Sequence, residues 1–216
     1  LPICRRGKYM WFTLSDGAAL LVHLRMSGQM LVAEHGTVTS PHLRIRADIG
    51  DAELDFVDQR TFGYWLYAPW DKIAHIGIDP LEPDFDSAAT ARRLRAKRTA
   101  VKTALLDQTL TSGIGNIYAD ESLWDAQISP RKKASTLRQK DAVALLAAAQ
   151  EVMTAALKVG GTSFDSLYVN VNGESGYFSR SLAAYGRAGQ PCLRCGTPLE
   201  RCVISGRSTH FCPHCQ

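Results

Sequence analysis

Short apolar runs separated by turn residues predict a β-rich first third of the chain. The runs KYMWFTL (8–14) and ALLVHLRM (19–26) flank SDGA, whose Asp-Gly pair favours a tight turn, so they predict a hairpin. Three further runs, HLRIRADI, AELDFVD and GYWLYA, extend this pattern to about Tyr67. Together these segments predict an antiparallel sheet or sandwich.

Beyond GIDPLEPDFDS (77–87), the apolar spacing changes from that of strands to that of helices. The prolines and glycine of this segment interrupt regular structure, so it predicts a boundary. The predicted helices begin at a cap formed by Asp86 or Ser87, continue through VKTALLDQ (101–108), restart near Asn116, and close with a long helix from about Leu137 to Lys158. Gly160 and Gly161 are predicted to end the long helix, whose alanine-rich stretch predicts a packing role.

Composition indicates a globular protein. The chain has 216 residues, of which 45% are hydrophobic, and 25 basic against 21 acidic residues give a formal charge of +4. This mild excess permits a nucleic-acid partner without demanding one. No apolar run approaches the roughly 20 residues that span a bilayer, and the N-terminus lacks the features of a secretory signal. We therefore expect a cytoplasmic protein with no membrane partner.

Two CxxC pairs near the C-terminus predict a zinc site. Cys192 and Cys195 form one pair, Cys212 and Cys215 the other, with sixteen residues between the pairs. Two such turns on a β-hairpin complete a tetrahedral site, which is structural because no position remains for water. A redox pair is disfavoured by the doubled motif, and disulfides by the expected compartment. Three further potential ligands lie off this spacing and are predicted not to bind the metal: Cys202, His210 and His214.

A glycine-rich turn, TSGIGN (111–116), separates two of the predicted helices. Gly113 and Gly115 permit the positive φ angles of a tight double turn. The backbone amides that open the next helix at Asn116 would then form an anion site. From the spacing alone, a simple turn between two core helices is an equally compatible interpretation.

The run from Lys102 through GIGNIYADE closely resembles the helix-two-turn-helix element of the formamidopyrimidine-DNA glycosylase and endonuclease VIII family. The match extends from RRGKY at Arg5 to Cys215, with the motifs in the order of the family and nearest to its formamidopyrimidine branch. The resemblance implies an α+β fold whose parts are an incomplete β-sandwich lobe over 1–78, a linker over 79–92, a helical helix-two-turn-helix lobe over 93–185 and a zinc β-ribbon over 186–216. Within the helical lobe, it implies that residues 162–178 form a lesion-recognition loop.

This resemblance also implies an activity, that of a base-excision repair DNA glycosylase with abasic-site lyase activity. Its expected substrates are oxidised purines such as 8-oxoguanine and formamidopyrimidine in double-stranded DNA, and a monomer is the family expectation. Lys102 and Asn116 match the family's phosphate contacts around the double turn. Arg207, five residues before the third cysteine, matches an arginine of the zinc ribbon that clasps phosphates beside the lesion.

A glycosylase takes the damaged base out of the helical stack, and side chains must fill the gap. Met26, Arg60 and Phe62 match the family's void-filling trio, in which Arg60 would offer donors to the orphaned cytosine. Arg25 stands where the family commonly has glycine, and Thr61 where it often has arginine.

Four more residues match positions that the family places at its active site or along DNA. Lys8 in RRGKY matches an active-site lysine, and His42 in PHLRIR matches a phosphate-contacting histidine. Tyr185 and Arg187 in AYGR match a segment that lines the DNA surface. The resemblance, not the spacing of these residues, carries the assignments.

The start of the chain departs from the family pattern. The family's nucleophile is an N-terminal proline followed by glutamate, whereas this sequence opens LPICRRGKY, in which no glutamate follows Pro2. We therefore do not transfer the nucleophile role to Pro2, and we expect the segment that carries it to be absent. Two functions stay open here: the glycosylase and lyase, and a non-catalytic zinc-ribbon module that recognises damaged or kinked duplex. In an intermediate case, the amine of Lys8 would support weak lyase activity.

Overall fold

The structure is a computed structural model that describes residues 2–161 and 181–216. The predicted recognition loop at 162–178 therefore lies outside the described residues. Contacts between residues divide the chain into two compact units, Leu1–Ala74 with Lys158–Ser179 and His75–Leu157 with Arg180–Gln216. α-Helices and β-strands occupy different stretches of the chain, as expected for an α+β protein.

Seven strands in the described part of the first unit form two antiparallel sheets. The strands are β1 (Ile3–Arg6), β2 (Tyr9–Thr13), β3 (Ala19–His23), β4 (Gly28–Ala33), β5 (Leu43–Asp48), β6 (Glu53–Asp58) and β7 (Tyr64–Ala68). One sheet has the order β1-β2-β3-β7 and the other the order β4-β6-β5. The predicted hairpin is confirmed, since β2 pairs with β3 from Tyr9 opposite His23 to Thr13 opposite Ala19.

The core of the first unit joins both sheets. Val22 of β3 is buried with Met30 of β4 and Phe56 of β6. Trp65 of β7 and Ile45 of β5 pack against this cluster. Because apolar side chains from each sheet meet in one cluster, the two sheets form the predicted antiparallel sandwich.

The second unit contains four α-helices within its described residues. They are α1 (Ser87–Arg95), α2 (Val101–Leu105), α3 (Asn116–Asp125) and α4 (Gln139–Lys158), with 3₁₀ turns at Trp70–Ile73, in the first unit, and at Ala134–Thr136. Asp86 caps α1 as predicted, because its carboxylate accepts the N–H of Ala89 at 2.9 Å. Helix α2 is shorter than the predicted 101–108, since the Asp107 carboxylate accepts the N–H of Thr109 and starts a turn.

Helix α4 packs as its alanine-rich sequence predicts. Ala142, Leu145, Leu146 and Ala149 are fully buried in one cluster with residues of α1, α2 and α3. Small residues at helical spacing let neighbouring elements approach this face closely. Across 2–161 and 181–216, no helix combines the length and apolar character needed to cross a membrane.

The C-terminal hairpin completes the second unit. Strand β8 (Glu200–Ile204) pairs with β9 (Arg207–Phe211) in an antiparallel ribbon. The two connecting residues, Ser205 and Gly206, have φ angles of 48° and 74°. Two successive positive φ angles are typical of the tight turn whose twist matches that of paired strands.

Candidate functional site

Four cysteine thiols converge at the base of the C-terminal ribbon. The sulfur atoms of Cys192, Cys195, Cys212 and Cys215 all lie within 4.8 Å of one another. All six cysteines lie in the described part of the chain, and none of them forms a disulfide there. Four converging thiolates are the donor set that tetrahedral structural zinc prefers, so the residues fit the metal. Cys202, His210 and His214 lie outside this cluster.

Nearby donors favour the thiolate form of the first cysteine. Burial opposes ionisation of Cys192, but hydrogen bonds from the backbone of Arg194 and from the Trp124 indole lower its pKa to about 6. The indole N–H lies 3.4 Å from the Cys192 sulfur. Conversely, the neighbouring Cys195 thiol raises the pKa of Cys215 to about 12. One thiol therefore favours the charged form and another the neutral form. A dication held by the four sulfurs would favour the negative form of all of them together.

The glycine-rich turn places the start of α3 in the geometry of an anion site. Gly113 has a φ of 87°, and a Cβ there would lie 2.6 Å from a carboxylate oxygen of Asp79. Gly115 is the N-cap of α3 with an extended φ of −104°, so only Gly113 needs the positive φ predicted for both glycines. Within the described residues, no protein group accepts a hydrogen bond from the N–H of Gly115, Asn116 or Ile117. These amides can bind an anion.

A buried polar network fastens this turn to the ribbon. The Lys102 ammonium lies 2.6 Å from the Asp120 carboxylate and donates to the Ser208 carbonyl at 2.8 Å and the Thr209 hydroxyl at 2.9 Å. The Asn116 side-chain amide donates to the same Ser208 carbonyl at 2.9 Å. Burial lowers the pKa of Lys102 and raises that of Asp120, while the charge of each partner opposes the shift of the other. Three elements, α2, α3 and β9, therefore share one set of hydrogen bonds.

Lys102 is buried beneath the turn. Its side chain is 0% exposed and its ammonium is held by protein acceptors, so in this structure it supports the turn, while its contact with a phosphate stays a prediction. Arg207, by contrast, is exposed at the start of β9, beside the Ser205-Gly206 turn. The hydroxyls of Thr103 and Ser205 lie 2.9 Å apart and hold that turn against α2.

In the first unit, Met26, Arg60 and Phe62 come from two loops that the fold brings together. Met26 is 61% exposed and Phe62 is 60% exposed. The Arg60 guanidinium lies 3.9 Å from the Met26 sulfur. Two exposed apolar side chains and one cation therefore lie on loops that meet.

The carboxylate of Asp58 shapes the loop that carries Arg60 and Phe62. This buried group accepts hydrogen bonds from the Ser27 hydroxyl at 2.6 Å, the Arg60 N–H at 3.1 Å and the Gly63 N–H at 2.7 Å. Burial would raise the pKa of Asp58, but these donors outweigh it and lower the pKa. Since Ser27 belongs to the Met26 loop, one carboxylate fixes both loops.

Lys8 lies near a buried histidine, His23. Lys8 is exposed in the turn between β1 and β2. His23, at the end of β3, accepts the Arg25 N–H on Nδ1 at 2.9 Å and packs against the rings of Tyr9 and Tyr64. The positive charges of Arg25 and Lys8 both act on the His23 ring.

Comparisons with known proteins cover these same elements. The N-terminal domain model of formamidopyrimidine-DNA glycosylase matches residues 2–65, the H2TH domain model of that enzyme matches 76–167, and the zinc finger found in FPG and IleRS matches 189–216. Over 222 residues the chain is 62% identical to formamidopyrimidine-DNA glycosylase of Corynebacterium aurimucosum, an alignment that covers 99% of this chain and 78% of the relative. The chain belongs to the formamidopyrimidine-DNA glycosylase family.

Other members of the formamidopyrimidine-DNA glycosylase family agree in sequence and fold. The enzyme of Streptomyces coelicolor is 56% identical, with 98% of this chain and 78% of the relative aligned. The Lactococcus lactis Fpg in complex with abasic-site DNA superposes with a TM-score of 0.89 at 36% identity, over 99% of this chain and 80% of that one. The Thermus thermophilus MutM (FPG) protein gives 0.90 at 37% identity, over 100% and 82%. The match to the zinc finger model, together with the four converging thiols, confirms one structural zinc.

The segment predicted to line DNA, which carries Tyr185, is anchored to α3. The Glu121 carboxylate accepts the N–H groups of Ala183, Ala184 and Tyr185 at 2.7 to 2.8 Å. The Tyr185 ring packs edge-on against His210, with 4.8 Å between ring centroids.

Arg187 supports the loop instead of extending away from it. Its guanidinium donates to the carbonyl of Ala183 at 2.8 Å, to the side chain of Gln190 at 3.0 Å and to the carbonyl of Pro191 at 3.2 Å. These bonds use donors on all three guanidinium nitrogens. In this structure Arg187 therefore positions the segment that carries Tyr185, and its place along DNA stays a prediction.

The structure places the remaining predicted residues, His42 and Lys8, in different surroundings. His42 is half-buried before β5, where its carbonyl accepts the Asp58 N–H at 2.9 Å, so its backbone joins the Arg60 loop. His23, which the sequence pattern did not single out, lies near Lys8. The one available signal was its position two residues before Arg25 in HLRMSG. Nothing in the local pattern distinguished it from a core histidine.

The buried imidazole predicts a pH-dependent stability. Burial and then the cations Arg25 and Lys8 lower the pKa of His23 from 6.5 to about 4. The unfolded chain takes up a proton near pH 6.5 while the folded chain resists, so the free energy of unfolding is expected to fall between about pH 6.5 and 4 and to level off below. His23→Asn, which keeps an acceptor for the Arg25 N–H, is expected to remove about 1–3 kcal/mol of that fall.

Urea unfolding at several pH values measures this effect. The exposed His35 supplies the control, because His35→Asn removes a histidine without removing a buried one. Parallel pH profiles for the wild type and His23→Asn would contradict the prediction.

Close packing at Gly63 predicts a second effect, on the loop that carries Phe62. A Cβ at Gly63 would lie 2.6 Å from the Phe56 ring and 3.1 Å from the carbonyl oxygens of His23 and Leu24. Gly63→Ala is expected to destabilise the fold by about 1–3 kcal/mol, because the loop or the core ring must shift. DNA binding should weaken as well, since Phe62 moves with the loop.

Chemical denaturation and a DNA-binding titration check this prediction together. Gly36→Ala is the control, because Gly36 has open space around it but a φ of 73°, so the substitution strains the backbone away from the loop. It should lower stability and leave DNA binding unchanged. Equal loss of binding in both variants would show that stability alone decides the result.

Proposed function

We propose that this chain acts in base-excision repair as a DNA glycosylase with abasic-site lyase activity on oxidised purines, 8-oxoguanine and formamidopyrimidine, in duplex DNA. The carrying observation is that similar chains bind such DNA in a closely similar fold. The Lactococcus lactis FPG mutant T221P, in complex with DNA that contains Fapy-dG, has a TM-score of 0.90 at 36% identity. A MutM in complex with DNA containing carbocyclic 8-oxo-G has a TM-score of 0.88 at 36% identity.

The phosphate grip in this proposal consists of exposed donors on a rigid support. The open amides at the start of α3 bind one phosphate, and Arg207 binds another through its planar guanidinium. Asn116 contributes to the first site, although its side-chain amide also holds the Ser208 carbonyl. Lys102 and Asp120 support both the α3 amides and Arg207, because they connect α2 and α3 to β9.

Base extrusion is assigned to the two loops that Asp58 fixes. Met26 and Phe62 enter the space vacated by the damaged base, where their exposed apolar surfaces become buried. Arg60 offers paired N–H donors to the orphaned cytosine. Extrusion costs a few kcal/mol of unstacking, which these contacts offset.

The other predicted residues and segments keep their predicted roles. Lys8 lies at the active site, while His42 and Tyr185 contact DNA. Residues 162–178 enclose the everted base. The divisions at 1–78, 79–92, 93–185 and 186–216 describe its functional parts. A monomer in the cytoplasm completes the proposal, and Pro2 is assigned no catalytic role.

Borohydride trapping on two duplexes tests the chemistry. One duplex carries 8-oxoguanine opposite cytosine, the other an abasic site, and binding is measured alongside. An adduct on the 8-oxoguanine duplex supports the complete glycosylase and lyase. An adduct on the abasic duplex alone, lost in Lys8→Ala, supports lyase chemistry through that amine. Salt-dependent binding with no adduct on either duplex would favour a recognition module and contradict the catalytic proposal.

A further inference from the structure

Arg25 holds a backbone conformation that its side chain does not favour. Its φ is 53°, in the left-handed region where only glycine is accommodated without cost. The same loop position commonly carries glycine in the family, which fits this conformation better. A strained non-glycine residue beside a functional loop points to a use for the side chain that compensates the strain.

The guanidinium of Arg25 has a defined place on the surface. Its central carbon lies 5.5 Å from the centroid of the Tyr64 ring. The Arg25 N–H donates to His23 Nδ1 at 2.9 Å, which fixes the backbone from which the side chain extends. Stacking on an aromatic face leaves the edge of a guanidinium available for hydrogen bonds.

The surroundings of Arg25 are cationic. Both Arg25 and Lys8 act electrostatically on His23, and Arg25 is adjacent in sequence to the exposed Met26, beside which Arg60 lies. Across residues 2–161 and 181–216, no carboxylate forms an ion pair with Arg25. An exposed cation that lacks an acidic partner and lies among other cations attracts an anion.

We propose that Arg25 is a further DNA-binding residue of this chain, whose guanidinium, held over the Tyr64 ring, binds a backbone phosphate of the duplex that flanks Met26. This inference rests on the proposed function, because it takes duplex DNA as the ligand. It adds a contact that a glycine at this position cannot make. Arginine is suited to it, since its planar fork matches the geometry of phosphate oxygens.

The test is the salt dependence of binding to a duplex that carries a tetrahydrofuran abasic analogue opposite cytosine. Each phosphate contact adds about 0.9 to the slope of log Kd against log salt. Arg25→Ala keeps the strained backbone and removes the charge, so it should lower the slope by about 0.9 and weaken binding about tenfold at low salt. Arg25→Lys should keep the slope because it keeps the charge.

Two control variants separate the general effects of a lost positive charge and of relieved backbone strain from the loss of a phosphate contact. Arg92→Ala removes one exposed positive charge from α1, and Gln127→Gly relieves a positive φ of 55°. Both should bind with the wild-type slope. Arg25→Gly should bind DNA like Arg25→Ala. It should melt at a higher temperature than Arg25→Ala, because glycine adopts the positive φ without strain.

The outcomes distinguish this inference from the proposed function. Wild-type binding that is tighter on the lesion duplex than on undamaged DNA supports the proposed function, whatever Arg25 does. If the wild type binds so and Arg25→Ala keeps the slope of Arg92→Ala, the phosphate contact is overturned. A changed opposite-base preference with an unchanged slope would also overturn it, because the contact would then be to a base. A wild-type chain without salt-dependent binding would overturn both.

Discussion

Removal of zinc is expected to unfold the C-terminal ribbon and to abolish tight DNA binding. The ribbon has almost no core of its own, since its buried cluster consists of Cys192, Leu199 and Cys212, with Trp124 and Cys215 packed against it. Two of its three fully packed members are metal ligands. Structural zinc contributes about 10–16 kcal/mol in ribbons of this size, which equals the whole stability of a small domain.

Loss of the ribbon acts on DNA binding through β9. Arg207 begins this strand, and the Ser208 carbonyl that Lys102 and Asn116 hold follows it. Without zinc the strand has no fixed position, so the arginine is lost as a contact and the supports under the double turn lose their acceptor. We expect binding to fall to the level of non-specific association, with a reduced salt slope.

Chelator titration followed by indole fluorescence, zinc content and DNA affinity measures this effect. Trp124 reports directly, because its N–H donates to the Cys192 sulfur. Cys212→Ser should reproduce the chelated state. Cys202→Ser is the matched control, since Cys202 lies in β8 of the same ribbon but outside the thiol cluster. A chelated chain that kept its fluorescence and its affinity would contradict the prediction.

Features set by local sequence could be predicted. The SDGA turn determines the β2–β3 hairpin, and the Asp86 cap determines the start of α1, because each signal acts within a few residues. The zinc site could also be predicted, since ligand spacing within each CxxC pair is itself a local property. In all three cases each signal is contained within a few neighbouring residues.

Features set by distant contacts could not be predicted. Lys102 is buried because Ser208 and Thr209, more than a hundred residues later in the chain, supply its acceptors. The sequence around Lys102 is that of an ordinary amphipathic helix, so an exposed lysine was the natural expectation.

The contribution of His23 depends on three strands at once. Tyr9 and Tyr64 meet the imidazole only after β2, β3 and β7 pair. A strand pattern gives the side of the sheet that a residue faces but not its neighbours across the sheet. Candidate residues drawn from a family match therefore need the structure to separate those that contact a ligand from those that support the contact.

Lys102→Met is expected to destabilise the protein by about 3–5 kcal/mol, because it leaves the buried Asp120 carboxylate without its cation. Both side chains are 0% exposed, so water cannot replace the lost partner. Asp120→Asn should cost less, since the Lys102 ammonium keeps the Ser208 carbonyl and the Thr209 hydroxyl as acceptors, and an amide oxygen can still accept the backbone N–H of His210. The double variant should be more stable than Lys102→Met alone, because the uncompensated charge is gone.

DNA affinity should separate from stability in the double variant. A methionine side chain has no N–H to donate, so Lys102→Met takes the ammonium away from the Ser208 carbonyl even where the fold recovers. The side-chain amide of Asn116 still donates to that carbonyl, but β9 and Arg207 are held less firmly. We therefore expect the double variant to bind the abasic-analogue duplex about tenfold more weakly than the wild type at equal folded fraction.

Urea denaturation of the two single variants and the double variant gives the coupling between the side chains, and a binding titration of the same samples gives the functional effect.

Lys97 and Asp107 provide the matched control, because their ion pair has a similar length of 2.8 Å but its side chains are 41% and 30% exposed. Lys97→Met is expected to cost less than about 1 kcal/mol, since water screens the exposed pair and solvates the partner that remains. Burial, and not the presence of an ion pair, is then what makes Lys102 costly to replace. Equal losses of stability in Lys97→Met and Lys102→Met would contradict this argument, and wild-type DNA affinity in the double variant would show that the network stabilises the fold without positioning Arg207.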